Sequence, residues 1–307
     1  MAREMIKMLL KAAIIFIVII LVILIVFSVR MAKVLSFPRG LTLEEEKNWA
    51  VTNNVWGNLE QYNTEKYTVK GMNDYTIHCE FVSSEETENT KKYVIISHGY
   101  NSNRYGAAKY APVYLSLGYS CIIYDLRGHG ENEKAVCTIG NYESQDLIEI
   151  INDTYSRYGS DIELGLHGES MGSSTSLSAL AYKPKVDFVV ADCGFANLYE
   201  LIGKQFKNNH VAFTEPVVDL FTRIIYGWNM KDTHAIDALS DNTVPICFIH
   251  GGDDTFITPD NSENMNAATK GYSELHIVDN AEHAQSRAVL GEQAYKDIVE
   301  SFLNEID

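Results

Sequence analysis

The pentapeptide Gly168-Glu169-Ser170-Met171-Gly172 lies between a short apolar run and a helix-prone stretch. Residues 162–166 predict a strand and residues 173–182 predict a helix, so Ser170 falls on a sharp strand-to-helix turn. Such a turn pushes the serine hydroxyl out of the sheet, and its glycines allow a close backbone approach. The alternative is a Gly/Ser turn without chemistry, because the pattern arises by chance in roughly one chain in ten of this length. The surrounding sequence decides between the two.

A serine nucleophile needs a base within reach, and the base needs an acid that orients it. Five histidines follow Ser170: His210, His234, His250, His276 and His283. His250 and His276 lie in or at the end of apolar runs that predict strands. His283 instead follows the last predicted strand, in a loop that leads to a final helix. We therefore expect His283 to be the base, reaching back over the edge of the sheet.

Three aspartates are candidates for the orienting acid. Asp253 and Asp254 follow the predicted strand 245–250, and Asp192 ends the predicted strand 186–191. Only one of the adjacent pair is able to face His283, and the other is expected to cap a turn or to face water. Spacing alone does not choose between them. Asp192 is the weaker candidate, since a hydrogen bond to a loop also explains it.

Five segments together resemble the α/β-hydrolase superfamily, over about residues 45–307. They are His98-Gly99-Tyr100, Asp125-Leu126-Arg127-Gly128-His129-Gly130, the Ser170 turn, His250-Gly251-x-x-Asp254 with Pro259, and Ala281-Glu282-His283. More narrowly, the chain resembles the membrane-anchored serine hydrolases of Gram-positive bacteria, which are described as esterases or S33-type peptidases.

The resemblance assigns a role to each matching position. It implies Ser170 as nucleophile, His283 as base and Asp254 as the acid of the H-G-x-x-D pattern. It also implies that the backbone amides of Tyr100 and Met171 form an oxyanion hole. This chemistry needs neither a metal nor an organic cofactor, and the sequence has no C-x-x-C pair or other metal-ligand spacing.

Predicted strands alternate with predicted helices, which indicates an α/β protein with a mostly parallel central sheet flanked by helices. This pattern agrees with the α/β-hydrolase fold that the resemblance implies. The alternation is interrupted at about residues 194–243, a segment that is long for a loop and rich in aromatic residues. We predict that it forms a helical cap over the serine. For any single aromatic residue there, packing of the cap onto the core is the favoured explanation.

The N-terminal segment predicts a membrane anchor. Residues 12–29 carry no charge, and basic residues precede and follow them. At about 1.5 Å per residue the run is about 27 Å long, enough for a bilayer core. A cleaved signal peptide would need a small-residue site that this segment lacks. We therefore predict a single-pass transmembrane helix in residues 1–39 and an α/β-hydrolase domain in residues 40–307. The basic residues are nearly balanced, so only the resemblance suggests that the catalytic domain is extracellular.

Charge restricts the partners of the folded domain. Residues 1–39 hold six of the 25 basic and one of the 41 acidic residues, so residues 40–307 have a net charge of −21. Such a domain repels phosphate backbones, which argues against nucleic-acid binding. The five cysteines are an odd number, which argues against a full disulfide framework but leaves one bridge open. Cys121 and Cys247 lie in predicted strands, where buried free thiols are expected.

These features predict a serine hydrolase in the cell membrane that cleaves a small-molecule carboxylic ester through an acyl-enzyme. Ester cleavage is favoured over peptide cleavage because no acidic cluster is clearly placed to hold a peptide amine. A serine peptidase, aminopeptidase or amidase is the first alternative. An acyltransferase or perhydrolase would use the same three residues, and a non-catalytic binding protein would normally have lost one of them.

Overall fold

A sheet of eight strands forms the centre of the protein in a computed structural model that describes residues 1–306. The strands are β1 (Asn63–Lys70), β2 (Thr76–Ser83), β3 (Lys92–Ser97), β4 (Ser120–Tyr124), β5 (Glu163–Glu169), β6 (Phe188–Asp192), β7 (Ile246–Gly251) and β8 (Ser273–Val278). They are ordered β1-β2-β4-β3-β5-β6-β7-β8 across the sheet. β1 and β2 form an antiparallel hairpin, β2 pairs antiparallel with β4, and all later pairs are parallel. The predicted mostly parallel sheet is confirmed.

Helices cover both faces of the sheet. They are α1 (Ala2–Ser36), α2 (Leu43–Thr52), α3 (Arg104–Ala107), α4 (Ala111–Ser116), α5 (Asn141–Tyr158), α6 (Met171–Ala179), α7 (Leu198–Asn208), α8 (Glu215–Tyr226), α9 (Asp260–Ala268), α10 (Ser286–Leu290) and α11 (Glu292–Ile306). Successive residues of β3 enter different apolar clusters, Ile95 on one face and Val94 and Ile96 on the other. Burial on both faces is typical of parallel strands between helical layers.

The helix expected after β3 is divided. The sequence predicts one helix over residues 102–117, but α3 and α4 are separated by a 3₁₀ turn, Ala108–Tyr110. Pro112 lies in the first turn of α4, where its missing N–H is tolerated. Inside one continuous helix the same proline would remove a hydrogen bond and clash with the preceding turn.

The segment 194–243 is helical, as predicted. It contains α7 and α8, which are followed by two short 3₁₀ turns. Phe195, Phe206 and Trp228 are buried in the larger apolar cluster, so these aromatic side chains fix the cap on the core. Phe213 differs, because it is largely exposed in the turn between α7 and α8.

The N-terminal helix α1 is longer than the uncharged run that predicts it. Its residues Arg3–Ser36 are long and apolar enough to cross a membrane, and residues 3–23 are exposed on all sides. Its last turns are different, because Ala32 and Leu35 are buried in the core cluster. The predicted boundary between residues 39 and 40 therefore separates the end of α1 from residues on which it packs.

Candidate active site

Ser170 lies at the turn between β5 and α6 with a backbone φ of 55° and ψ of −116°. This conformation is unfavourable for a residue with a Cβ atom, and the surrounding structure has to hold it in place. The two flanking glycines allow it. A Cβ on Gly168 would lie 2.2 Å from the carbonyl oxygen of Gly172, and a Cβ on Gly172 would lie 2.2 Å from that of Ser97. The sequence pattern is thus required by close backbone contacts.

His283 is the histidine that contacts the serine. Its Nε2 atom lies 2.9 Å from Ser170 Oγ. The ring is carried by the loop that follows β8, in which Asn280 and Ala284 have positive φ values and turn the chain back over the sheet. His250 is buried at the end of β7, and His276 lies on β8 beside Glu274. The structure therefore brings together the serine and the histidine that the sequence predicts.

Asp254 is the carboxylate that reaches this histidine. Its Oδ2 atom lies 2.7 Å from His283 Nδ1, while Oδ1 accepts hydrogen bonds of 2.9 Å from the amides of Phe256 and Ile257. The neighbouring Asp253 is exposed. The turn after β7 thus resolves the choice that spacing leaves open, because it points the two adjacent side chains in different directions.

The environment of Asp254 favours its charged form. Burial alone would raise the pKa of this carboxyl group, but hydrogen bonds from His250 and His283 outweigh burial and hold the pKa well below its usual range. The sequence did not predict the contact between His250 and Asp254. The His250 Nε2 atom lies 2.7 Å from the carbonyl oxygen of Ile257, so Nε2 carries the proton. The same Nε2 atom also points at Asp254 Oδ2, 3.4 Å away. The spacing of four residues between His250 and Asp254 in the His-Gly-x-x-Asp motif was the sequence signal from which this contact could have been predicted.

The two residues predicted to supply oxyanion amides flank Ser170. Met171 is the first residue of α6, so its N–H has no acceptor within the helix and lies at the positive end of the helix dipole. Tyr100 follows Gly99, where an added Cβ would lie 3.6 Å from Ser170 Cβ. Both segments therefore pass close to the candidate nucleophile.

Comparison with known proteins agrees with this arrangement. Residues 92–221 match the family described as the alpha/beta hydrolase fold. The chain has the α/β-hydrolase fold. The fold predicted from the sequence is thereby confirmed.

Individual relatives of the chain are distant. The uncharacterised protein YqkD of Bacillus subtilis (strain 168) is 28% identical over 258 residues, which are 82% of this chain and 83% of YqkD. The Pyrococcus furiosus esterase Pf2001 superposes with a TM-score of 0.66 at 18% identity, covering 88% of this chain and 98% of that one. The Pyrococcus horikoshii acylaminoacyl peptidase superposes with a TM-score of 0.61 at 15% identity, covering 80% of this chain and 41% of that one. At these identities the structures support the fold alone.

Asp192, the third candidate acid, belongs to a buried network behind the serine. Its carboxylate accepts hydrogen bonds from Tyr295 at 3.0 Å and from Ser286 at 3.3 Å. Burial and the charge of Glu169 raise the pKa of Asp192 to about 6. Its backbone oxygen accepts a 2.9 Å hydrogen bond from the Ser170 amide. Asp192 therefore supports the strained turn and does not orient His283.

Histidines 98 and 129 brace the loops around the site. The His98 ring bonds to the Gly99 carbonyl at 2.7 Å and accepts a 3.0 Å hydrogen bond from the Leu126 amide. His129 Nδ1 lies 2.9 Å from the carbonyl oxygen of Arg127. Burial lowers the pKa of each ring to about 4, so both are neutral at pH 7. Their contacts hold the two loops on which these rings lie.

The end of α1 contacts the loop that carries Tyr100, and no sequence pattern predicted this contact. The Tyr100 hydroxyl donates a 2.7 Å hydrogen bond to the carbonyl oxygen of Val34, at the end of α1. The next loop residue, Asn101, accepts hydrogen bonds from the amides of Arg39 and Leu41, at 2.9 and 3.3 Å. The segment that leaves the predicted membrane helix is thus tied directly to the loop that carries Tyr100.

One group of side chains has the composition of a metal site. The donor atoms of Cys247, Glu274 and His276 lie within 4.8 Å of one another on β7 and β8. The group lies towards the amino ends of these strands, whereas Ser170 and His283 lie at the carboxyl edge of the sheet. The absence of a metal from the reaction stays a prediction.

Proposed function

We propose that this α/β hydrolase is a membrane-anchored serine hydrolase that cleaves a carboxylic ester. The observation that carries the proposal is the chain of two hydrogen bonds from Ser170 Oγ to His283 Nε2 and from His283 Nδ1 to Asp254 Oδ2. A nucleophile, a base and an orienting acid in this order and geometry are what acyl transfer requires.

Each residue has a defined part in the proposed reaction. Ser170 Oγ attacks the acyl carbonyl carbon while His283 Nε2 takes its proton. The Asp254 carboxylate fixes the histidine tautomer and stabilises the imidazolium that forms. The amides of Tyr100 and Met171 hold the oxyanion, each lowering the barrier by about 3 kcal/mol. His283 then protonates the departing alkoxide. A water molecule next attacks the acyl carbon while His283 takes its proton, and the bond to Ser170 Oγ breaks as His283 returns that proton to the serine.

A peptidase or amidase is the nearest alternative, because this chemistry also cleaves amides. Glu169, the acid beside the nucleophile in sequence, forms an ion pair with Lys109 and accepts a 2.5 Å hydrogen bond from Tyr110. A carboxylate that is already neutralised is a poor ligand for the amine of a peptide substrate. This pairing favours the ester over the aminopeptidase.

Two further alternatives differ in the molecule that accepts the acyl group from the enzyme. An acyltransferase or a perhydrolase would form the same acyl-enzyme and then transfer the acyl group to an alcohol or to peroxide in place of water. Adding either acceptor and identifying the products distinguishes these activities from hydrolysis. A non-catalytic binding protein would give no acyl-enzyme at all.

The purified full-length protein is expected to react with a fluorophosphonate probe and to hydrolyse p-nitrophenyl esters. We expect its kcat/KM for these esters to exceed that for aminoacyl p-nitroanilides, because Glu169 is not free to bind the amine. Steady-state rates on both panels, with probe labelling as the count of active sites, provide the measurement. Faster cleavage of the anilides would replace the esterase with a peptidase, and a protein that neither labels nor turns over would be a binding protein.

The full-length protein is expected to remain in the membrane fraction through high-salt and carbonate washes. Its anchor is apolar, so neither salt nor high pH weakens its insertion. Immunoblots of the washed fractions provide the measurement, and release by carbonate would contradict the anchor.

A protease added to intact cells is expected to remove the domain, which we place outside the cell. A known extracellular membrane protein and a cytoplasmic protein serve as controls for access and for cell integrity. Complete protection of the domain, while the extracellular control is cleaved, would place it in the cytoplasm.

A further inference from the structure

The end of α1 packs along the cap helix α8. Ser28, Ala32 and Leu35 are buried, and their spacing of four and three residues places them on one face of α1. The same helix is exposed on all sides up to residue 23. The cap therefore lies beside the part of α1 that emerges from the predicted membrane span.

The two helices run parallel. The Trp228 indole N–H donates a 2.8 Å hydrogen bond to Ser36 Oγ, and the rings of Phe37 and Tyr226 are 5.5 Å apart. The carboxyl-terminal ends of α1 and α8 thus meet, and the amino-terminal end of α8 points back along α1. A helix of 12 residues is about 18 Å long, so α8 begins beside about residue 26 of α1. That level lies within the uncharged run 12–29.

An apolar stripe follows the outer side of this cap. Phe213, Leu220 and Ile224 are 72%, 46% and 69% exposed. Leu220 and Ile224 are one turn apart on α8, and Phe213 lies in the 3₁₀ turn that leads directly into this helix. A row of large exposed apolar side chains is unfavourable in water and marks a contact surface.

The charge around the stripe differs from that of the whole chain, which has a net charge of −16. Residues 27–41 and 201–214 contain five basic residues and no acidic residue: Arg30, Lys33, Arg39, Lys204 and Lys207. The helix α8 itself carries Glu215, the buried Asp219 and Arg223. Basic residues around an apolar face favour the surface of a bilayer that contains anionic lipid.

The position of the candidate site along α1 can be compared with the end of the uncharged run. Tyr100 bonds to the carbonyl of Val34, five residues beyond the last residue of the uncharged run, which corresponds to about 8 Å along the helix. The headgroup layer on each side of a bilayer is about 5–8 Å thick. The loop that carries Tyr100 therefore lies close to the outer boundary of the headgroups.

We propose that the cap stripe formed by Phe213, Leu220 and Ile224 lies in the leaflet from which α1 emerges, so that Ser170 acts on an ester carried by a membrane amphiphile. The proposal rests on the proposed anchor and serine hydrolase. A bilayer is the occupant that the structure favours over a protein partner, because the stripe continues the lipid-facing surface of α1 and is bordered by basic residues.

Site-directed labels measure the depth of the stripe. A fluorophore is attached to the full-length protein at one of three positions, through the substitution Phe213→Cys, Leu220→Cys or Ile224→Cys. Each labelled protein is reconstituted into vesicles of phosphatidylcholine and phosphatidylglycerol. All five native cysteines are buried, so they react slowly with the labelling reagent. Tyr182→Cys is the control, because Tyr182 is 50% exposed and follows α6 at the opposite edge of the sheet.

Quenchers attached to the lipid chains are expected to quench the label at position 213 most strongly, position 220 less and position 224 least. The label at position 182 should respond only to a water-soluble quencher. Labels at positions 213 and 220 that behave like the label at position 182 would overturn the proposal. If carbonate-resistant protein still hydrolyses a soluble ester in that case, the proposed function stands and only the contact of the cap is wrong.

Activity provides a second test. The double variant Phe213→Ser/Ile224→Ser is compared with Tyr182→Ser on methylumbelliferyl oleate in vesicles and on soluble methylumbelliferyl butyrate. We expect kcat/KM of the double variant on the oleate to fall about tenfold or more, since burial of one such side chain is worth about that factor. Its kcat/KM on the butyrate should stay within about twofold of wild type. Equal losses on both substrates, or no loss on either, would contradict the proposal.

Discussion

Replacing Ser170 with alanine is expected to abolish both fluorophosphonate labelling and ester turnover, lowering kcat by about 10⁴-fold or more. Ser170 Oγ is the proposed attacking atom, and no other hydroxyl lies against His283 Nε2 in the hydrogen bonds of residues 1–306. The fold should survive, because alanine keeps the Cβ atom and removes only one oxygen. Probe labelling, p-nitrophenyl ester rates and thermal unfolding provide the measurements.

Ser173→Ala is a matched control for this variant. Ser173 lies one turn further along α6, is fully buried, and its hydroxyl finds no hydrogen-bond partner within residues 1–306. Removal of that oxygen should leave labelling and turnover unchanged. Retained labelling of Ser170→Ala at the same stoichiometry as Ser173→Ala would show that another residue is the nucleophile.

The fold could be predicted from the sequence because its signals are local. Apolar runs of four to eight residues between turn residues predict buried strands, and the strands predicted over residues 162–166, 186–191 and 245–250 are present within a few residues as β5, β6 and β7. The division of the helix over residues 102–117 was missed, although Pro112 was a visible reason for it. The long interval between two predicted strands also indicated the helical cap, because a loop of about 50 residues without secondary structure is uncommon in a compact domain.

The sequence motifs and their order along the chain identify the candidate site residues, but they do not give the geometry of the site. The choice between Asp253 and Asp254 depends on the conformation of a turn, which adjacent identical residues do not encode. The support of Asp254 by His250 depends on the ring position of a buried side chain. The sequence therefore predicts which loops meet, whereas the structure identifies the side chains that face one another.

The end of α1 is the clearest limit of sequence analysis. Charge and hydropathy predict where a helix leaves a membrane, but they contain no information on what it packs against afterwards. Ala32 and Leu35 contact the cap and core, and Val34 accepts a hydrogen bond from Tyr100. A soluble form that begins at residue 41 would lose all of these contacts, so shortening the anchor should preserve residues from about 27 onwards.

Asp254→Asn is expected to lower kcat by about 10⁴-fold through the tautomer of His283. The amides of Phe256 and Ile257 both donate to Oδ1, so an asparagine would keep its carbonyl oxygen there and present its NH₂ group to His283 Nδ1. That group donates, so Nδ1 would have to accept and the proton would move to Nε2. A protonated Nε2 cannot take the proton of Ser170. Steady-state kinetics on a soluble ester measure the loss.

Asp253→Asn makes the same chemical change one residue away. Because Asp253 is exposed and its side chain does not face His283, its kcat should stay within about twofold of wild type. Labelling by the probe should slow in parallel with kcat for Asp254→Asn, since the same proton transfer activates Ser170 in both reactions. A larger loss at Asp253 than at Asp254 would transfer the orienting role to the exposed carboxylate. The turn after β7 would then have to rearrange when substrate binds.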